Sequence, residues 1–287
     1  MTPSRENFIL TISCPATTGI VAAISTFLAE RGCYISELSQ FDDEDTSRFF
    51  MRCVFHFTRE GADIQSLREA FADVSGHFDM DWQVFSSAQP MKVLLMVSKF
   101  DHCLADLLYR RNKHEIDMDI TAVVSNHLDL RPMAEREGLR FIYLPVTKDN
   151  KTQQEKELLK IVEETGTELV VLARYMQILS DDLCRALSGR AINIHHSFLP
   201  GFKGAKPYHQ AHSRGVKLIG ATAHYVTADL DEGPIIEQAV QRVDHSYQPD
   251  DMVAVGRATE TVALASAVKY YTQHRVFLNQ DKTVVFK

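Results

Sequence analysis

A chain of 287 residues is long for one domain and comfortable for two, at roughly 100–200 residues each. Its 45% hydrophobic and 24% charged residues are those of an ordinary soluble globular protein, so a core is readily buried. A formal net charge of −7 provides no general attraction for nucleic acid or an anionic membrane, and neither is expected as a partner.

The opening Met1-Thr2-Pro3-Ser4-Arg5-Glu6-Asn7 lacks the charged-then-apolar pattern of a signal peptide. No later apolar run approaches the roughly 20 residues of a membrane span, and a cytoplasmic protein is expected. Cys14, Cys33, Cys53, Cys103 and Cys184 contain no Cys-x-x-Cys pair, which suits reduced thiols rather than a thiolate zinc site.

Residues 1–85 read as a βαββαβ unit. Strands are predicted at Phe8 to Cys14, Tyr34 to Phe41, Phe49 to Phe57 and Met80 to Phe85. Helices are predicted from Ile20 to Arg31, where Ile20, Ile24, Phe27 and Leu28 recur at helical spacing, and from Asp63 to His77. Thr17 or Thr18 is available as the first helix cap, and Asp42-Asp43-Glu44-Asp45 reads as a solvated turn. The phrase Cys14-Pro15-Ala16-Thr17-Thr18-Gly19-Ile20-Val21-Ala22, set in this element order, resembles the ACT domain, a ferredoxin-like regulatory module. That resemblance implies an amino-acid effector near Gly19 and Ile20, often at an interface between copies, so a homo-oligomer is expected. A purely oligomerising role is the alternative.

Ser86-Ser87-Ala88-Gln89-Pro90 is a polar, proline-ended linker, 86–90. Beyond it, 91–287, strands alternate with helices as in a doubly wound, mostly parallel α/β sheet. Strands fall at Met91 to Val97, Ile120 to Ser125, Phe141 to Leu144, Glu168 to Ala173 and from Ala191. Helices fall at Asp101 to Lys113, Arg131 to Glu137, Lys151 to Thr165 and from Ser180. A helix carrying His209 and His212, two antiparallel strands at Leu218 to Thr227 and Pro234 to Val243, and a helix from Asp250 to about Gln273 follow. The tail from Arg275 reads as a final strand.

Ala191-Ile192-Asn193-Ile194-His195 starts as a buried strand and breaks into polar side chains, His196-Ser197-Phe198-Leu199-Pro200-Gly201. Ligands of open α/β sheets bind outside the carboxyl ends of the strands. Asn193 and His195 are two apart, so they share one strand face, an amide donor beside a proton carrier suited to polarising a carbonyl. Taken singly, each has a plainer explanation, as a turn former or a satisfied core histidine.

Asn193-x-His195-x-Ser197-x-Leu199-Pro200, then Gly220-Ala221-Thr222-Ala223-His224-Tyr225-Val226, then Asp231-x-Gly233-Pro234 resemble the folate-dependent formyltransferase family over about residues 91–280. The resemblance implies Asn193, His195 and Asp231 as the catalytic set around the formyl group of 10-formyltetrahydrofolate. In acyl transfer, Asn193 and a protonated His195 would stabilise the oxyanion, and Asp231 would hold the imidazole or a water. It also implies a folate pocket around Ala173-Arg174-Tyr175-Met176-Gln177-Ile178-Leu179, with Met176, Gln177, Ile178 and Leu179 at its centre, and along the loop Thr227, Ala228, Asp229, Leu230 and Asp231, although Met176, Ile178 and Leu179 suit core packing equally.

Members that act on glycinamide ribonucleotide carry a glycine-rich turn after the first strand of this domain, where backbone amides hold the phosphate. Here that place reads Val97-Ser98-Lys99-Phe100-Asp101-His102-Cys103, without glycine, and Lys99 and Phe100 obstruct a phosphate nest. With no amine held, water is the nucleophile. The chain therefore resembles the hydrolytic members of the family, which release tetrahydrofolate and formate and supply formate to purine and one-carbon metabolism. Glycine or methionine is the natural effector, and no cofactor beyond the folate substrate is implied. Transfer to a phosphorylated amine such as glycinamide ribonucleotide, or a non-catalytic folate and amino-acid sensor, are the alternatives. No metal is expected: His195, His196, His209 and His212 lack a His-Glu-x-x-His spacing, and adjacent His195 and His196 should face opposite ways on a strand.

Overall fold

Phe8, Leu10, Ile12 and Cys14 alternate along the chain and are all buried, which makes their segment a strand with one face on a core. The computed structural model describes residues 6–59, 61, 63–196 and 207–287. They form two compact units. One runs to Pro90 and takes in 273–280 and 284–287; the other comprises 91–272 with 281–283.

The first unit runs β1 (Phe8–Pro15), α1 (Ile20–Glu30), β2 (Cys33–Asp43), β3 (Arg48–Phe57), α2 (Ile64–His77) and β4 (Asp81–Ser86). Its strands form one antiparallel sheet in the order β2-β3-β1-β4. The buried faces of β1 and β3 pack against Ile20, Ile24, Phe27 and Leu28 of α1 and Leu67 and Phe71 of α2. Two local expectations change. Helix α1 is opened by Gly19 at φ 93°, with no side-chain cap; the left-handed backbone that turns the chain there suits glycine, and neither Thr17 nor Thr18 caps the helix. At α2, by contrast, Asp63 accepts from the backbone N–H groups of Gln65 and Ser66. Nor is the acidic turn wholly solvated. Strand β2 continues to Asp43, which is buried and accepts from Asp45 N, Thr46 Oγ1 and the amide of Asn279.

The second unit contains β5 (Met91–Val97), α3 (His102–Asn112), β6 (Met118–Ser125), α4 (Arg131–Arg136), β7 (Phe141–Tyr143), α5 (Lys151–Thr165) and β8 (Leu169–Leu172). It continues through α6 (Asp181–Ala186), β9 (Ala191–His195), α7 (Pro207–Arg214), β10 (Leu218–Tyr225), β11 (Ile235–Arg242) and α8 (Pro249–Thr272). The seven strands are ordered β11-β10-β9-β8-β5-β6-β7. Those from β9 to β7 are parallel, and β10 and β11 extend the sheet antiparallel. Val93 to Val97 and Leu169 to Val171 are almost wholly inaccessible, as strands covered on both faces must be. The chain moves outward from β5 to β7 and returns to β8 on the other side of β5. This reversal opens a crevice at the carboxyl ends of the central strands. Among the described residues, no helix is long and apolar enough to cross a membrane.

The tail does not extend the large sheet. β12 (Val276–Asn279) and β13 (Lys282–Val285) pair with each other. Phe277 packs edge-on against Phe50, and buried Arg52 donates to the carbonyl of Gln273, so most of the tail groups with the first unit instead of closing a continuous 91–287 span.

Helix α8 leans on α7 through a glycine. A β-carbon on Gly256 would stand 2.1 Å from the Tyr208 ring. Gly256→Ala is expected to cost about 1–3 kcal/mol by overpacking. Thermal unfolding checks this, and an unchanged melting temperature would refute it.

Candidate active site

At the crevice the sheet encloses a cavity of about 290 Å³. Asn193, His195, Asp231, Met176 to Leu179 and Thr227 to Leu230 all line it. Met176 and Ile178 are 50% and 62% exposed, which excludes core packing for these two, whereas Leu179 packs against the core. The backbone N–H of Met176 is engaged, donating to Ser98 Oγ at 3.0 Å.

Asn193 lies directly opposite His224 in the antiparallel pairing of β9 and β10. His224 Nδ1 is 2.8 Å from the Tyr225 carbonyl, which only accepts, so Nδ1 carries the proton and neutral Nε2 accepts from Asn193 Nδ2 at 3.3 Å. One amide hydrogen of Asn193 is thereby used and the other remains for the cavity. His195 Nδ1 lies 3.1 Å from Asp231 Oδ2 and donates to it, while His224 Nε2 is 3.7 Å from Oδ1. His195 Nε2 is buried and has no partner among the described residues. That nitrogen is thus left for a substrate or water. Burial works to raise the Asp231 carboxyl, but the hydrogen bond from His195 and the nearby His224 ring outweigh it and hold the group well below the usual carboxylate range.

Asp231 reaches this position on a loop that folds back tightly on β10. Its own φ is 57°. Tyr225 N donates to the Pro234 carbonyl at 2.9 Å, and Gly233 sits so close that an added β-carbon would be 1.8 Å from the Tyr225 carbonyl oxygen.

His195 and His196 do not diverge. β9 ends at His195, strand alternation ends with it, and the two rings stack at 4.8 Å with 25° between planes. His209 is exposed on α7 and His212 is half-buried, and neither lines the cavity. Ser197, Leu199, Pro200 and Gly201 lie outside the described residues.

Sequence reasoning assigned no catalytic role to several neighbours. Arg174, at φ 66°, lines the cavity and donates from Nη1 to His196 Nδ1 at 2.9 Å. Its Nε is 3.3 Å from Oε2 of buried Glu260, off the angle of a hydrogen bond. Glu260 also pairs with His102 Nε2 at 2.7 Å and accepts from Tyr208 at 3.0 Å. Among the described residues, His102, Cys103 and Glu260 form the one cluster with metal-ligand spacing. Its carboxylate is already matched by the Arg174 cation, and burial raises the Cys103 thiol, so the donor set suits an ion-pair network better than a cation cage. Of these neighbours His224 carried a signal in the second quoted motif, and Arg174 in the stretch that the resemblance places at the folate pocket.

In the first unit, Gly19 and Ile20 line a separate cavity of about 500 Å³ with Thr17, Gln40, Asp42 and Phe49.

The mostly parallel seven-stranded sheet is of formyl transferase type, and residues 91–268 match the family described as formyl transferase. Over nearly its full length the chain resembles proteins of one kind within that family. It is 50% identical to a formyltetrahydrofolate deformylase of Corynebacterium sp. (strain P-1), covering 97% of this chain and 98% of that one. The crystal structure of formyltetrahydrofolate deformylase from Burkholderia mallei superimposes with a TM-score of 0.95 at 56% identity, covering 98% and 100% of the two chains. Glycinamide ribonucleotide transformylase 1 from Symbiobacterium toebii is more distant, at TM-score 0.65 and 25% identity over 71% and 97%. The chain belongs to the formyltetrahydrofolate deformylases of the formyl transferase family.

Proposed function

We propose that the chain hydrolyses 10-formyltetrahydrofolate to tetrahydrofolate and formate, supplying formate to purine and one-carbon metabolism. The observation that carries the mechanism is the buried Nε2 of His195, without a partner among the described residues and with its ring held by Asp231 through Nδ1. In this reading Nε2 takes a proton from water as the water oxygen attacks the formyl carbon, and the free amide hydrogen of Asn193 stabilises the oxyanion. Asp231 orients the imidazole and stabilises its charged form. The imidazolium then returns the proton to the folate nitrogen, the C–N bond breaks and formate leaves. Exposed Met176, Ile178 and Leu230 offer an apolar rim for the folate ring. No cofactor beyond the folate is required.

Against transfer to glycinamide ribonucleotide stands the turn after β5. Phe100 lies over the Arg174 guanidinium at 5.1 Å, filling space with side chains where the transferases need bare backbone. Incubation with 10-formyltetrahydrofolate alone should release formate and tetrahydrofolate in equal amounts. No formate without an added amine would overturn the hydrolytic reading, and undiminished release by His195→Ala with Asp231→Ala would overturn the mechanism.

For the first unit we propose an ACT-type regulatory role, supported by its element order and by the cavity at Gly19 and Ile20, with glycine or methionine as the effector and a homo-oligomer as the assembly. The five free thiols support a reducing, cytoplasmic setting.

A further inference from the structure

Histidine 196 touches the reacting histidine face to face and is tied to a buried ion pair behind it. Arginine has donors only, so the 2.9 Å contact between Arg174 Nη1 and His196 Nδ1 makes that nitrogen an acceptor and puts the ring proton on Nε2. A second proton on Nδ1 would break this bond and set a cation against the guanidinium. Arg174 in turn stands 3.3 Å from Glu260, 2% exposed, which is fixed by His102 and Tyr208. The 25° tilt and 4.8 Å separation lay the His196 ring along that of His195.

We propose that His196 is a positioning residue: the Glu260–Arg174 pair holds it as a neutral Nε2–H imidazole stacked on His195, so that the positive charge formed during hydrolysis resides on His195 alone. The mechanistic half of this rests on the hydrolytic reading; the tautomer does not. An uncharged aromatic face supports an imidazolium beside it, whereas a second imidazolium would oppose it. The groups facing His196 are Arg174 from the loop after β8, His195 from β9, Tyr208 from α7, Glu260 from α8 and Asp231 from the loop after β10. Burial, then Arg174, then His195 depress its proton affinity to about 4.

The test combines ¹⁵N NMR of the histidine rings with pH profiles of formate release, using the full chain. In the native protein His196, assigned by its loss in His196→Phe, should show an unprotonated Nδ1 and a protonated Nε2, unchanged between pH 5 and pH 9. In Glu260→Gln the Arg174 charge stands uncompensated near His195. The acid limb of kcat should then move down by about one pH unit. His196→Phe keeps an aromatic face but frees Arg174, and kcat should fall about 10-fold to 100-fold with KM little changed. A His196 ring that titrates near its ordinary value or carries its proton on Nδ1 overturns the proposal. An unmoved acid limb in Glu260→Gln does so as well. Should the protein release no formate, the hydrolytic reading fails separately and the tautomer still decides the structural assignment. If His196→Phe does not fold, assignment passes to the ring whose signals are lost in His196→Gln.

Discussion

Asp231→Asn is expected to lower kcat for formate release by about 10³-fold to 10⁴-fold with little change in KM. The two side chains have nearly the same shape, so the loop and the cavity wall stay in place. What changes is the proton on His195. The carboxylate accepts from Nδ1–H at 3.1 Å and leaves Nε2 bare inside the cavity. An amide at position 231 that turns its N–H to Nδ1 makes that nitrogen the acceptor and moves the proton to Nε2, where it cannot take one from water. An amide that presents its oxygen keeps the tautomer but loses the negative charge that stabilises imidazolium. Steady-state kinetics across pH checks this. A kcat within 10-fold of the native value would show that the His195–Asp231 contact is not the proton-handling pair.

The second large effect is expected at a residue that touches no substrate. Gly233→Ala would place a β-carbon 1.8 Å from the Tyr225 carbonyl oxygen, and because that atom belongs to the backbone no rotamer change relieves the clash. The loop must lift from β10, stretching the Tyr225 N–H to Pro234 O bond and carrying Asp231 away from His195. A displacement near 1 Å is enough for about a 100-fold loss in kcat, and the strain itself should cost about 1–3 kcal/mol of stability. Kinetics and thermal unfolding on the same preparation separate the two effects. Native kcat together with a native melting temperature would mean that the loop has slack which its hydrogen bond does not suggest.

Much of the architecture was legible because local periodicities report local geometry. Met91 to Val97 and Lys151 to Thr165 read as a strand and a helix with the bounds the structure gives them. One apolar run is too short for anything but a covered strand, and the other repeats at helical spacing. The placement of Asn193 and His195 on one face followed from the two-residue period of a strand. Reading failed where a distant segment intervened, and where the backbone left its regular geometry at the end of an element. Asp43 looked like one more acid in a turn, yet Asn279 from the tail donates to it and it is buried. Thr17 and Thr18 have the right chemistry for a cap, but the chain enters α1 through a left-handed Gly19. His196 was placed opposite His195 by extending strand geometry one residue beyond where the strand ends.

By itself, then, the sequence determined the order and kind of the elements, the glycine-free turn after β5, and the chemical types brought to one strand end, since these depend on residues within a few positions of each other. Tertiary structure alone decided that His224 sits across from Asn193, that Asp231 closes onto His195, and that Glu260 reaches Arg174 and thereby His196. Those contacts join segments far apart in the chain, and their geometry is set by strand register and by the packing of α8 on the sheet, which no local pattern encodes.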